Sequence, residues 1–143
     1  MIQSPVQRGR GNREETPLAS KVELEDLIMS RFPEVDHSLG EDYLGVTWAT
    51  PSGRTQHVMV LVLDDGVFLW SPFAKTAEIS LTRALALAKS TLFGVAIYRD
   101  TYALKHFVLS SDLGVESLLG HIGFVANSAD ALEADFKPDS DSL

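Results

Sequence analysis

Four histidines are the residues best suited to acid–base or metal chemistry in this sequence: His37, His57, His106 and His121. No two of them have the spacing that places a metal-binding pair on one face of a helix. His57 and His106 could meet across a sheet, but neither has an acidic residue as its immediate neighbour. We therefore expect histidines that pack in or beside a sheet, without a metal ion.

Asp64 and Asp65 are adjacent carboxylates, which a glycosidase or a metal site could use. Gly66 follows them and apolar runs lie on both sides, so a tight turn explains the same residues. The serines form no nucleophile motif of the G-x-S-x-G type, and the absence of cysteine excludes a thiol nucleophile and a disulfide scaffold. The sequence thus predicts no enzyme activity and no cofactor.

Composition points to a small soluble protein with protein partners. The chain has 143 residues, of which 45% are hydrophobic and 22% charged, as expected for one globular domain. A formal net charge of −8 argues against nucleic acid as the partner. The chain contains no apolar run long enough for a membrane span, and its first 15 residues lack the apolar core of a signal peptide. We expect a cytoplasmic protein that does not bind membranes.

The stretch Gln56–Phe73 is the element around which the other elements are organised. It reads as two strands joined by a turn at Asp64-Asp65-Gly66. The first arm, His57–Leu63, is almost entirely apolar, which is typical of a central strand buried on both faces. The second arm is predicted to run over Val67–Ser71 and to end at Pro72.

The remaining segments supply three helices and three further strands. A capping box at Ser20 and Glu23 and a stop at Pro33 predict a helix over 18–32. A second helix over 78–89 has an apolar face comprising Ile79, Leu81, Leu85 and Leu87/Ala88. The last helix, capped by Ser111 or Asp112, contains Gly120 and Gly123, which would allow close packing on the sheet. Strands are predicted at 43–49, 93–99 and 102–110, with a turn at Asp100-Thr101 between the last two.

The order helix, three strands, helix, two strands, helix predicts an α+β fold. Consecutive strands joined by tight turns indicate a five-stranded antiparallel sheet with helices packed on it. We expect one domain over residues 18–136. Polar segments at 1–17 and 137–143 are predicted to be a disordered arm and an acidic disordered tail.

This order of elements resembles the type III secretion chaperone-like fold, and the second half resembles its YbjN branch. The resembling residues are DDGVFLWSPFA, at 64–74, and the segment that runs from Leu85 to Phe136. That segment contains Phe93-Gly94 before two strands and Ala129-Asp130-Ala131-Leu132 in the closing helix. The step Leu104-Lys105-His106 is similar to the actinobacterial members. Members of the YbjN branch, among them the TY-Chap type, are proposed to be peptide-binding chaperones or sensory-transduction regulators. The resemblance therefore implies a binding module with no catalytic residues.

The resemblance and the apolar residues together imply a homodimer that holds a protein or peptide segment through apolar surface. We expect this surface to come from the first helix, the central hairpin and the second helix. The side chains expected to contribute are Leu24, Ile28, Trp48, Trp70 and Phe73. One face of the central hairpin should support the helices. The other, carrying either Phe68 and Trp70 or Val67 and Leu69, should be covered by a partner.

Two other functions stay open at this point. The chain could be a regulatory domain that binds one fixed protein partner, in the manner of a sensory-transduction protein. It could also be a small-molecule binder or an enzyme, which would require a polar pocket with convergent ionisable groups.

Overall fold

The computed structural model describes residues 20–38, 40, 42–110 and 113–136. Within these residues the elements are α1 (Lys21–Arg31), β1 (Tyr43–Ala49), β2 (Thr55–Val62), β3 (Gly66–Lys75), α2 (Leu81–Ala88), β4 (Gly94–Tyr98), β5 (Thr101–Leu109) and α3 (Val115–Phe136). This order confirms the predicted α+β fold. The predicted arm at 1–17, the tail at 137–143 and the cap at Ser111 or Asp112 lie outside the described residues.

The five strands form one antiparallel sheet in the order β1-β2-β3-β5-β4. The central hairpin supplies its second and third strands, as predicted. Its turn is closed by a hydrogen bond of 2.8 Å from the Leu63 amide to the Gly66 carbonyl. Asp64 and Asp65 are exposed within this turn, which agrees with their interpretation as turn residues.

Strand β3 continues through Pro72 to Lys75, so the prediction that it ends at Pro72 is wrong. Proline cannot donate a ladder hydrogen bond and is tolerated inside a sheet at a bulge. The register with β5 shifts between Pro72 and Ala74, beyond the point where Trp70 pairs with Met59 of β2. The side-chain amide of Gln56 donates to the Pro72 carbonyl, which helps to hold the strand beyond the proline.

The hydrophobic core lies between one face of the sheet and the helices. Helix α3 contacts β2, β3 and β5, and α1 contacts both α3 and β2. The sheet contributes aliphatic side chains at alternate positions, among them Val46, Val58, Val60, Val67, Leu69 and Leu104. The helices contribute Leu24, Ile28, Leu118, Ile122, Val125 and Ala129. Burial of these side chains is the main favourable contribution to folding.

The two glycines of α3 have different surroundings. A Cβ atom added at Gly123 would lie 2.5 Å from Cζ2 of Trp48, so only glycine allows this close approach to the sheet. A Cβ atom added at Gly120 would meet no atom within 4 Å. The prediction of close packing is therefore confirmed for Gly123 and wrong for Gly120.

An ion pair joins the β1–β2 turn to α3. Nε of Arg54 lies 2.9 Å from Oδ1 of Asp130, and the Ser52 hydroxyl donates to Oδ2 at 2.8 Å. Burial by itself would raise the pKa of Asp130, but the hydrogen bonds from Arg54 and Ser52 outweigh it and the pKa is lowered. The carboxylate is thus held in its charged form at neutral pH.

Helix α1 begins later than predicted. Ser20 is its N-cap and has an extended backbone, so the helix starts at Lys21. The predicted capping box is confirmed, because the Ser20 hydroxyl accepts from the Glu23 amide and the Glu23 carboxylate accepts from the Ser20 amide. The helix ends at Arg31. The next residue, Phe32, precedes Pro33, and a proline disfavours the helical conformation of the residue before it.

Helix α2 is shorter than predicted. Ser80 caps it, and its buried side chains are Ala84 and Ala88. Leu81 and Leu85 are 46% and 51% exposed, so the predicted apolar face is buried only in part. The alanines have short side chains, which let this helix lie close to the sheet.

The last hairpin turns one residue earlier than predicted. Tyr98 pairs with Thr101, so the turn between β4 and β5 is formed by Arg99 and Asp100 and not by Asp100 and Thr101. Arg99 has a positive φ of 55°, a conformation that is favoured in two-residue hairpin turns. Among the described helices, none is long and apolar enough to cross a membrane.

Candidate binding groove

The sheet face opposite the helices carries large apolar side chains that remain partly exposed. Tyr43, Leu61, Phe68 and Phe107 are in register across four strands. Met59 and Trp70 form part of the next row along the same face. We call this surface, comprising these six residues, the open face. Of the two sets weighed for the central hairpin, Phe68 and Trp70 lie on the open face, whereas Val67 and Leu69 are buried under the helices.

A groove of about 390 Å³ lies on the open face. Its apolar lining includes Met59, Trp70, Pro72, Ala96 and Ala103, together with the rings of Tyr43 and Tyr98. Its polar lining includes Asp36, Ser38, His57, Arg99 and Asp100. An apolar concavity with a few polar groups is the usual form of a binding site.

The depression follows from side-chain size along the strands. Pro72 is in register with Ala103, and Ala103 with Ala96. These three small residues stand beside the larger Trp70 and Met59 of the neighbouring row. The sheet surface is therefore recessed at the three small residues relative to Trp70 and Met59, and the recess leaves room for a ligand side chain.

Asp36 forms one rim of the groove. Its backbone pairs with Gly45 of β1 through two hydrogen bonds of 2.8 Å, so it extends the edge of the sheet. Its carboxylate accepts from the Ser38 amide at 2.8 Å and from the Ser38 hydroxyl at 3.0 Å. The backbone hydrogen bond from Ser38, followed by that of its hydroxyl, lowers the pKa of Asp36. The rim thus holds a carboxylate that is ionised at neutral pH.

His57 lies beside Asp36, above Gly45. A Cβ atom at Gly45 would lie 3.1 Å from both Cε1 and Nε2 of the imidazole, so a larger residue there would push the ring by a few tenths of an ångström. Burial lowers the pKa of His57, and the nearby charge of Asp36 opposes this effect only in part. The imidazole is neutral at neutral pH and can both donate and accept a hydrogen bond.

A pair of histidines lies on the helix side of the sheet. Nε2 of His106 is 3.1 Å from Nδ1 of His121, and the Phe93 ring packs edge-on to His106 at a centroid distance of 5.0 Å. Sequence spacing could not reveal this pair, because one member is on β5 and the other on α3. His57 and His106 face opposite sides of the sheet. Within the described part of the chain, no group of three or more potential ligands could hold a metal ion.

The side chains predicted to bind a partner fall into two groups. Trp70 lines the groove and stacks on Phe68 at a centroid distance of 5.4 Å. Trp48 packs towards the helices, 6.3 Å from the Phe32 ring and against Gly123. The remaining three are covered by the rest of the chain: Leu24, Ile28 and Phe73, at 1%, 0% and 0% exposure.

Sequence reasoning did not select several residues of the groove, notably Asp36, Met59 and Pro72. The alternation of side chains in the central hairpin could have indicated Met59, because Met59 and Trp70 pair across the two strands and therefore share a face of the sheet. Asp36 gave no such signal, since it pairs with β1 through a short loop segment outside the named strands.

Comparison of the sequence with known proteins identifies no family for this chain. No protein-family model matches the sequence, and no curated protein matches it. Support for a function therefore comes from the geometry of the open face and its groove.

Proposed function

We propose that this protein is a non-enzymatic binding module of the YbjN and secretion-chaperone-like class, which holds an extended segment of a partner protein on its open face. The observation that supports this proposal is the apolar groove of about 390 Å³ beside Trp70. Such a surface suits side chains of a polypeptide that would otherwise be exposed to water.

Burial of apolar side chains would supply most of the binding energy. A fully buried aliphatic or aromatic side chain contributes about 1.5–3 kcal/mol. The groove offers Pro72, Ala96 and Ala103 as the apolar floor, with the larger Met59, Trp70 and Tyr43 beside it. Phe68 and Phe107, whose ring centroids are 4.6 Å apart, extend this surface towards the β2–β3 turn.

The proposal also takes the protein to be a cytoplasmic homodimer. Strand β4 is at one edge of the sheet, and the five residues of Gly94–Tyr98 include no charged side chain. Charged residues and prolines are the usual protection of an edge strand against pairing. Ile97 and the nearby Leu92 are 57% and 87% exposed, which supports an interface at this edge.

Two measurements test the proposal. Amide NMR spectra of the labelled protein would be recorded during titration with an extended apolar peptide, and we expect shifts at Met59, Trp70 and Ala103. Sedimentation at high micromolar concentration should give the mass of a dimer. A strictly monomeric protein whose spectra no peptide changes would contradict the proposal.

A regulatory domain with one fixed partner is the second candidate function. The polar rim of the groove supports it, because Asp36, Arg99 and Asp100 could select one sequence among many apolar ones. Affinity purification distinguishes the two functions. One stoichiometric partner would favour regulation, whereas many unrelated unfolded segments would favour a chaperone.

A further inference from the structure

We propose that the groove selects an arginine side chain of the bound segment, held against an aromatic wall with its guanidinium at Asp36. This inference rests on the proposed function, since it names the residue that anchors the bound polypeptide. It depends on three features of the groove, namely its charge, its aromatic walls and its apolar floor.

The charged groups of the groove favour a cation. Asp36 and Asp100 are carboxylates, Arg99 is the one permanent cation among the described residues of the lining, and burial keeps His57 neutral. The whole chain has a formal net charge of −8, which adds to the negative potential. Each Asp36 oxygen accepts one hydrogen bond from Ser38 and keeps a lone pair for a further donor.

The aromatic walls favour a planar cation. The rings of Tyr43 and Trp70 pack against each other, with their centroids 6.2 Å apart and their planes tilted by 44°, and together they form one aromatic wall of the groove. The guanidinium of Arg99 lies over the ring of Tyr98, with Cζ 5.5 Å from the ring centroid. A guanidinium stacks on aromatic faces and can donate two parallel hydrogen bonds to a carboxylate.

The floor favours a long side chain over a short one. Pro72, Ala96 and Ala103 form an apolar surface on which the three methylene groups of arginine could lie. Lysine has a similar stem, but its ammonium group is more strongly hydrated and does not stack. We therefore expect the order arginine, then lysine, then neutral side chains.

The test uses fluorescein-labelled heptapeptides of alternating threonine and valine with the central residue varied, and fluorescence anisotropy as the readout. The central residues are arginine, lysine, and citrulline, which has the shape of arginine without its charge. We expect the citrulline peptide to bind about tenfold more weakly than the arginine peptide, as for loss of one charge-assisted contact.

Two variants locate the effect. D36N keeps the shape of the side chain and should abolish the preference for arginine over citrulline. D64N removes the same charge from the exposed β2–β3 turn, outside the groove, and should leave the preference unchanged. The comparison of peptides on the unmodified protein needs neither variant.

The outcomes separate this inference from the function on which it rests. Equal binding of the arginine and citrulline peptides would overturn the arginine site and leave the peptide-binding function intact. An unchanged preference in D36N would also overturn the site. Absence of binding by every peptide, in anisotropy and in NMR spectra, would overturn both.

Discussion

Nε2 of His106 on β5 lies 3.1 Å from Nδ1 of His121 on α3, so two imidazoles meet between the sheet and its longest helix. Burial, and then the charge of His121, lowers the pKa of His106 below the ordinary value of 6.5. The folded protein therefore binds fewer protons than the unfolded chain just below this pH, and its stability falls as the pH falls. We expect the free energy of unfolding, from urea titrations, to be lower at pH 5.5 than at pH 7.5.

His57 contributes in the same direction, because burial lowers its pKa too. The variant H106Q should show a smaller loss of stability between these two pH values. L85A, on the exposed side of α2, removes no titratable group and should retain the full loss. A pH dependence that is the same in H106Q and in the unmodified protein would contradict this assignment.

The two glycines of α3 predict opposite effects of the same substitution. At Gly123 a methyl group would collide with Trp48, so G123A should destabilise the protein by about 1–3 kcal/mol. At Gly120 the added Cβ meets no atom, and G120A should stabilise the helix by up to about 1 kcal/mol. Urea denaturation measures both. If G123A were as stable as G120A, the close contact with Trp48 would be wrong.

The ion pair of Arg54 with Asp130 should matter more than that of Arg31 with Glu116. The first is largely buried, at 18% and 7% side-chain exposure, and the second is at 47% and 74%. Loss of a buried charged hydrogen bond costs about 1.5–3 kcal/mol, so D130A should be destabilised by this amount in urea titrations. E116Q should lose no more than about 1 kcal/mol.

The pH dependence of the same ion pair has its own sign. The pKa of Asp130 is below its ordinary value of 3.8, so its contribution is present above that pH and lost as the pH falls through the lower value. The unfolding free energy of D130A should therefore fall less than that of the unmodified protein between pH 4 and strongly acidic solution. Equal losses in the two proteins would show that Asp130 is not responsible.

Substitution of Trp70 should affect peptide binding, whereas substitution of Phe73 should affect the stability of the fold. W70A removes a partly exposed ring from the groove and should weaken binding of the labelled heptapeptides severalfold while the protein stays folded. F73A removes a fully buried ring and should cost about 3–5 kcal/mol of stability. L85A, on the exposed side of α2, is the control and should leave peptide binding unchanged.

Local patterns were sufficient to predict most of the fold. The Asp64-Asp65-Gly66 turn and the apolar strands beside it specified the central hairpin, and the capping box at Ser20 specified the start of α1 within a few residues. The extent of β3 was not predictable in this way. Its passage through Pro72 depends on a bulge and on a hydrogen bond from Gln56, which is distant in sequence.

The groove was less predictable than the fold, for a physical reason. The alternation of side chains along a strand shows which residues share a face of the sheet, but it does not show which face the helices cover. Leu24, Ile28 and Phe73 are apolar in the same way as Trp70, and only tertiary packing makes the first three core residues. Asp36 is held at the groove by a single β-bridge to Gly45. No local sequence pattern indicates such an isolated bridge.

The bridge between Asp36 and Gly45 has a consequence for the cost of binding. Fixing one residue of a flexible loop costs about 1–2 kcal/mol in conformational entropy. Asp36 is already fixed, because its amide and carbonyl both pair with β1 and its carboxylate is held by Ser38. A ligand that meets this carboxylate finds it in place, so little of the interaction is lost to ordering the protein.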